Sequence, residues 1–286
     1  MTSAVRSPVV VGAVALLLGS AAAPAQTSVD VENRYPNVGA IMVWRVDDSG
    51  KPIQLLGFAS GSLIRARVMI TARSEKEQAD VGLEFVAADL GTTEGCATAV
   101  SETGQRLGPI DILVVNHGIG SAHEKLVWEQ DPAVWRETMR INLDGPFELA
   151  RLTVGGMCKR GYGRLVFTSS TAGEKAERSG SAYTASKHGL IGLARAVAQD
   201  AGPFGVTSNA VLPGWVRTAM AERSAKADAE RRDISVEQVW RERAAIYPRN
   251  RVLDPLEVAQ VIAFLCSDAA GAVNGEAITV ALGGMW

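Results

Sequence analysis

Tyr183 and Lys187 stand four positions apart in the run SAYTASK, residues 181–187. On a helix that spacing brings both side chains out on one face, one turn apart. A phenol titrates near 10, too high for proton exchange at neutral pH. A neighbouring ammonium stabilises the phenolate and lowers that value, which suits the pair to general acid–base work. Ser170 stands thirteen positions before Tyr183, at the end of an apolar run. A hydroxyl there can hydrogen-bond a substrate oxygen as charge develops on it. A tyrosine and a lysine on one helix face are by themselves a common solvated pair, so the reading depends on what positions them.

From residue 67 onward apolar runs alternate with helical patterns. Strands are expected at RVMITA (67–72), LEFVAADL (83–90), IDILVVNHG (110–118), GRLVFTSS (163–170), VTSNAVLPG (206–214) and EAITVALGG (276–284). Helices are expected over 93–108, 131–161, 181–202 and 254–268. The strands lack polar alternation, which predicts burial on both faces. Their alternation with helices predicts right-handed crossovers and an α/β fold with a doubly wound parallel sheet. In such a sheet ligands lie at the carboxyl ends of the strands. Those ends carry Asp89-Leu90, Asn116-His117-Gly118-Ile119, Ser170 and Pro213-Gly214, with Val216 and Thr218 just beyond; Asn142 lies within INLDG on the long helix. The segment 219–250 balances its acids and bases and reads as a solvated helical pair.

In this order and at these spacings the residues resemble the short-chain dehydrogenase/reductase family over about residues 67–286. The resemblance implies a seven-stranded Rossmann-like sheet, usually in a homotetramer or homodimer. It casts Tyr183 as the acid/base, Ser170 as the group polarising a carbonyl, and Lys187 as the tyrosine's partner and a ribose ligand. Asn142 would anchor a proton-relay water. Asp89 and Leu90 would meet the adenine, Asn116 and Gly118 the adenosine ribose side. Pro213, Gly214, Val216 and Thr218 would cradle the nicotinamide amide and diphosphate, and 219–250 would be a substrate lid with Trp215, Met220 and Trp240 as candidate lining. His117, in place of the family's second asparagine, is expected to be a packed, hydrogen-bonded side chain. The implied activity is NAD(P)-dependent interconversion of a ketone and a secondary alcohol, with a 3-oxoacyl thioester among the candidate substrates.

The departure from the family is at its start. Members open with a strand, T-G-x-x-x-G-x-G, and a helix whose N-terminus takes the pyrophosphate. No such pattern precedes Arg73. Too few residues separate Gly61 from RVMITA for a helical crossover of at least ~10–12 residues. The first β-α unit is therefore expected to be missing or replaced by a short β-rich segment. RVMITA is read as the family's second strand, and Arg73 after it as a base for a 2′-phosphate, which favours NADP over NAD. A junction arginine is the other reading. The function classes left open are an NADP-dependent oxidoreductase and a non-catalytic relic of one.

The first 66 residues have another texture. Residues 1–25 have the layout of a secretory signal: Arg6, an apolar run from Pro8 to Leu18, then small residues to Ala25. A leader folded onto the body is the alternative. Residues 26–66 resemble the first strands of a trypsin-like serine protease, with Ser60-Gly61-Ser62-Leu63-Ile64 and then Val68 to Ala72. Arg73-Ser74 stands where that family has its histidine, so no base serves a serine nucleophile.

Composition narrows the partners. Of 286 residues, 47% are hydrophobic and 21% charged, with a net charge of −2. That excludes wholesale disorder and a bulk positive field for nucleic acid or acidic membrane. Three cysteines without a C-x-x-C pair argue against a disulfide framework or a zinc site. With NADP(H) as cofactor and such cysteines, the cytoplasm is the expected compartment, export being the alternative.

Overall fold

All six of the apolar runs form strands at the expected places, and a seventh strand joins them from the N-terminus. The computed structural model describes residues 9–15, 44–46, 52–55, 67–72, 84–121 and 125–284. Its strands are β1 (Val9–Ala15), β2 (Trp44–Val46), β3 (Pro52–Leu55), β4 (Arg67–Ala72), β5 (Glu84–Ala88), β6 (Ile112–Val115), β7 (Gly163–Thr168), β8 (Val206–Pro213) and β9 (Ala277–Val280). The helices are α1 (Thr93–Leu107), α2 (Pro132–Met139), α3 (Gly145–Arg160), α4 (Ser181–Ala201), α5 (Ala219–Arg232), α6 (Val236–Ala245) and α7 (Pro255–Cys266).

Seven strands make one sheet in the order β5-β1-β4-β6-β7-β8-β9. From β4 to β9 every neighbouring pair is parallel, whereas β1 runs antiparallel to both β4 and β5. β6 and β8 are buried along their whole length, as the unbroken apolar runs require. One core layer packs α1, α3 and α4 on one face of the sheet, and a second packs α7 on the other.

Two expectations about the start of the domain change. In the doubly wound order 3-2-1-4-5-6, the strand beside the fourth is the first. β4 pairs residue for residue with β6, Val68 to Ile112 through Thr71 to Val115. RVMITA therefore fills the first-strand slot, not the second. The physical reason is that the missing unit leaves the slot beside β6 open, and the apolar β4 fills it by parallel pairing. The second slot is taken by β1, the apolar stretch read as the heart of a signal peptide, which here lies in the sheet as a folded-on leader would. An antiparallel strand needs no helical crossover. Of the protease-like stretch, the short antiparallel pair β2–β3 and the strand β4 lie within the described residues.

The helix boundaries follow local chemistry. Asp131 caps α2 through the Ala133 N–H, with Pro132 in the first turn. Asp254 and Glu257 form a reciprocal capping box on α7. The helix expected over 131–161 is interrupted at Arg140–Asp144 by a widened turn, in which the Gly145 N–H reaches back to the Arg140 carbonyl. Such turns interrupt the α-helical ladder and are frequent at functional sites. Segment 219–250 forms the expected helical pair, α5 and α6. No helix among the described residues is long and apolar enough to cross a membrane.

Candidate active site

A cavity of about 880 Å3 opens at the carboxyl ends of β6, β7 and β8, beneath α5. It gathers Asn116, Gly118, Ser170, Tyr183, Lys187, Pro213, Gly214, Val216 and Thr218. Lys187 is the most constrained of them. Its side chain is buried, and Nζ donates to the Thr168 carbonyl at 2.9 Å. Burial pushes its pKa down to about 8. Nζ also lies 5.6 Å from the centroid of the Tyr183 ring. An ammonium has three donors, so two remain beyond the one that Thr168 takes.

Ser170 leaves β7 in extended geometry, and its Oγ accepts the Ala172 N–H at 3.1 Å. The hydroxyl proton is thereby left to donate into the cavity. Ser169, its neighbour, faces the other way and donates to the Lys187 carbonyl at 2.8 Å. Thr218 caps α5 by accepting the Ala221 N–H.

Asn142 sits in the widened turn and is fully buried. Its Oδ1 accepts the Ile119 N–H at 2.8 Å, and its Nδ2 donates to the Ile119 carbonyl at 2.9 Å and to Ser186 Oγ at 3.1 Å. Ser186 Oγ in turn donates to the Tyr183 carbonyl at 2.8 Å. A chain of side-chain bonds thus ties the turn after β6 to the helix of the acid/base pair. Thr71 anchors the other side of that turn, its Oγ1 accepting the Asn116 N–H at 2.9 Å. Ser186 and Thr71 were missed from the sequence; both adjoin motif residues, but no spacing marks them.

The structure does not bring Asp89 and Leu90 to the cavity. The Asp89 carboxylate is met by the Arg140 guanidinium at 3.1 and 3.2 Å and by the Gly91 N–H at 3.0 Å. Arg140 is held in turn by both carboxylate oxygens of Glu137. Leu90 is fully buried, with its carbonyl so close to Gly145 that a Cβ there would overlap it. Arg73 lies outside the described residues. Trp215 and Met220 line the cavity, whereas Trp240 is buried among α5 and α6, with Nε1 donating to Glu222 at 3.1 Å. Arg243 joins this helical pair to the Pro213–Thr218 loop, 3.7 Å from the Trp215 ring centroid and bonded to the Ala221 carbonyl at 3.0 Å.

The residues at the β7–β8 end suit a nicotinamide ribose. Gly118, in the turn after β6, leaves bare backbone facing Lys187: a Cβ on it would lie 3.2 Å from Asn142 Oδ1 and 3.5 Å from Lys187 Nζ. The loaded ammonium, the bare backbone and the Pro213–Thr218 loop form one wall.

Known proteins are similar to this chain in sequence and fold. The family model described as enoyl-(acyl carrier protein) reductase matches residues 64–285. An acetoacetyl-CoA reductase of Rhizobium meliloti is 33% identical over 208 residues, 72% of this chain and 81% of that one. A D-beta-hydroxybutyrate dehydrogenase of Cupriavidus necator is 33% identical over 71% of this chain and 80% of its own. The structure of a single-residue variant of the actinorhodin polyketide ketoreductase with NADPH superposes with a TM-score of 0.65, at 33% identity, over 69% of this chain and 76% of that one. The chain belongs to the short-chain dehydrogenase/reductase family.

Proposed function

We propose that this chain is an NADP(H)-dependent oxidoreductase that interconverts a ketone and a secondary alcohol, with a 3-oxoacyl thioester as the substrate class. The observation that carries the reading is the buried Lys187 ammonium beside the Tyr183 ring, in one cavity with Ser170. When bound, the nicotinamide supplies or takes the hydride. Lys187 would hold its ribose, Asn116 and Gly118 the adenosine ribose side of the cofactor, and Pro213, Gly214, Val216 and Thr218 its amide and diphosphate side. Ser170 donates a hydrogen bond to the substrate oxygen, which concentrates charge there. Tyr183 gives that oxygen its proton in reduction and takes it back in oxidation. Lys187 keeps a positive charge one turn away and so stabilises the phenolate that remains. The thioester class rests on the names of the relatives.

Residues 67–286 are proposed as the catalytic domain, the cytoplasm as its compartment, and a homotetramer or homodimer as its assembly. Acetoacetyl-CoA with NADPH is the assay. Turnover that vanishes in Tyr183→Phe supports the assignment; turnover that survives in that variant refutes it.

A non-catalytic relic is the second reading. It is favoured by the sequence after β4, which has no glycine until Gly82 to bring a backbone onto a pyrophosphate. Charge-assisted hydrogen bonds are worth ~1.5–3 kcal/mol each. Lacking two of them, the chain should bind NADPH roughly two to four decades more weakly than a relative that has the loop. Calorimetric titration with NADPH and NADH measures this. With RVMITA in the first-strand slot, Arg73 no longer follows the strand whose end meets the 2′-position, so in the same titration Arg73→Ala should weaken NADPH and NADH equally, and a larger loss for NADPH would restore it as the 2′-phosphate base.

A further inference from the structure

Arg243 is a buried guanidinium behind the cavity wall, 8% exposed, and the proposed chemistry does not use it. Among the described residues no carboxylate pairs with it; Asp228, Glu177 and Glu222 act on its charge only from farther off. Taking a cation out of water is costly, so its contacts must compensate for the loss. They all reach one wall. The guanidinium lies 3.7 Å from the Trp215 ring centroid, with the Trp240 ring at 5.1 Å. Its two terminal nitrogens donate to the Ala221 carbonyl and to Ser224 Oγ, each at 3.0 Å. Trp215, Ala221 and Ser224 all line the cavity.

A second grip on Trp215 comes from one turn further along. Tyr247 stands four positions after Arg243, just past the end of α6, and is 3% exposed. Its hydroxyl accepts the Trp215 N–H at 2.6 Å. A Cβ on Gly214 would overlap that hydroxyl and one on Gly284 would overlap the ring, so the phenol has one seat. The Trp215 carbonyl is occupied as well, accepting the Leu253 N–H at 2.9 Å. Backbone and indole of Trp215 are thus held separately, the first by Tyr247 and the second by Arg243.

We infer that Arg243 and Tyr247 form a two-point clamp on Trp215, and that the clamped indole sets the size of ketone the cavity takes. Trp215 packs against both the α5–α6 core and the Tyr247–Ala281 cluster, so it closes the wall between them. An indole is a large, flat body that turns about only two side-chain torsions. With a guanidinium on its face and its backbone tied to a phenol, it does not swing aside for a bulkier substrate. Arg243 and Tyr247 are positioning residues and act through Trp215. Arginine suits this place and lysine does not, because a planar fork stacks on a ring while its N–H groups donate elsewhere.

The size rule rests on the reductase reading, whereas the clamp does not, so two measurements separate them. Amide hydrogen exchange in the full chain tests the clamp. Tyr247→Phe keeps the ring between the two glycines and removes only the hydroxyl. Exchange at the Trp215 N–H should quicken at least ~tenfold, the scale of one lost hydrogen bond. The Arg217 N–H, bonded instead to the Leu253 carbonyl at 3.0 Å, should change less than about threefold. No change at Trp215, or equal acceleration at both amides, overturns the clamp even in a chain without turnover.

With saturating NADPH, ethyl acetoacetate and the bulkier ethyl benzoylacetate test the size rule. Arg243→Met replaces a buried charge by an apolar chain of similar length, a change that cores tolerate. Its ratio of kcat/KM values should move at least ~tenfold toward the benzoyl ester, and Arg243→Lys should move it the same way. Trp215→Ala should reproduce the shift, and adding Arg243→Met to Trp215→Ala should move the ratio no further. An unchanged ratio, equal losses on both esters, or a further shift in the double variant overturns the size rule.

Discussion

The carboxyl edge of the sheet is finished differently at its two ends. Around β7 and β8 the polar groups face a cavity: Ser170 has a proton to give, Lys187 has donors beyond its bond to Thr168, and Gly118 leaves room beside Lys187. At β5 the polar groups answer one another. Asp89 is met by Arg140 and the Gly91 N–H, and Arg140 by Glu137. Buried polar groups without partners are costly, so an edge that keeps unassigned donors must expect a ligand. The β5 edge has closed on itself, next to the second-strand slot, which an antiparallel strand fills. The chain keeps its chemistry at one end of the sheet and has rebuilt the other.

Tyr183→Phe tests the open end with the largest effect. It removes the transferable proton and little else, so carbonyl reduction should fall by at least ~100-fold, while circular dichroism and melting stay close to those of the parent chain. A loss below about tenfold would place the acid/base function elsewhere.

Lys187 gives the next largest effect, and its sign can be worked out. Its folded pKa of about 8 lies below the ordinary 10.5 because burial disfavours the ammonium. Between those values the unfolded chain binds a proton that the folded chain does not, so unfolding free energy rises with pH through that window. The rise amounts to about 3 kcal/mol. Denaturant unfolding from pH 7 to 11 should show it, and Lys187→Met should remove it while abolishing turnover. A parent chain whose stability is flat across this range would mean that the ammonium is solvated and the pair looser than its geometry.

Much of the open end was legible in the sequence because its signals are local. Tyr183 and Lys187 are one turn apart, and Ser170 and Asn116 end apolar runs, so periodicity alone puts them on one edge. What was not legible depends on pairing over distance. The slot taken by β4 is decided by what else competes for the centre of the sheet, and RVMITA reads alike in either place. The bond from Asp89 to Arg140 joins residues 51 positions apart, through a widened turn that leaves no mark in composition. Thr71 stood inside a stretch that resembled another family altogether, which hid its role beneath the turn after β6.

The closed end should respond weakly. Asp89 and Arg140 each keep about a third of the side chain exposed, and pairs of that kind contribute ~0–1 kcal/mol. Asp89→Ala should lower stability by no more than that and change NADPH affinity less than about fivefold. A loss beyond tenfold would show the carboxylate leaving Arg140 for the adenine, as the family resemblance implies, and the contrast between the two ends would break.

The smallest test uses one substitution with opposite signs at two glycines. Gly118→Ala sets a Cβ 3.2 Å from Asn142 Oδ1, an atom that cannot move away without loosening its bond to the Ile119 N–H. Overpacking of this sort costs about 1 kcal/mol, and the displaced Asn142 should carry a two- to threefold loss of kcat with it, roughly 0.5 kcal/mol in the barrier. Gly104→Ala, in α1, meets nothing within 4 Å. Removing a helical glycine there should stabilise the chain by ~0.5–1 kcal/mol and leave turnover unchanged. Thermal melts of the two variants should therefore move in opposite directions from the parent. If Gly118→Ala melts like Gly104→Ala, the turn after β6 yields more easily than its hydrogen bonds indicate, and the rigid link from Thr71 to Tyr183 is the part of the comparison to discard.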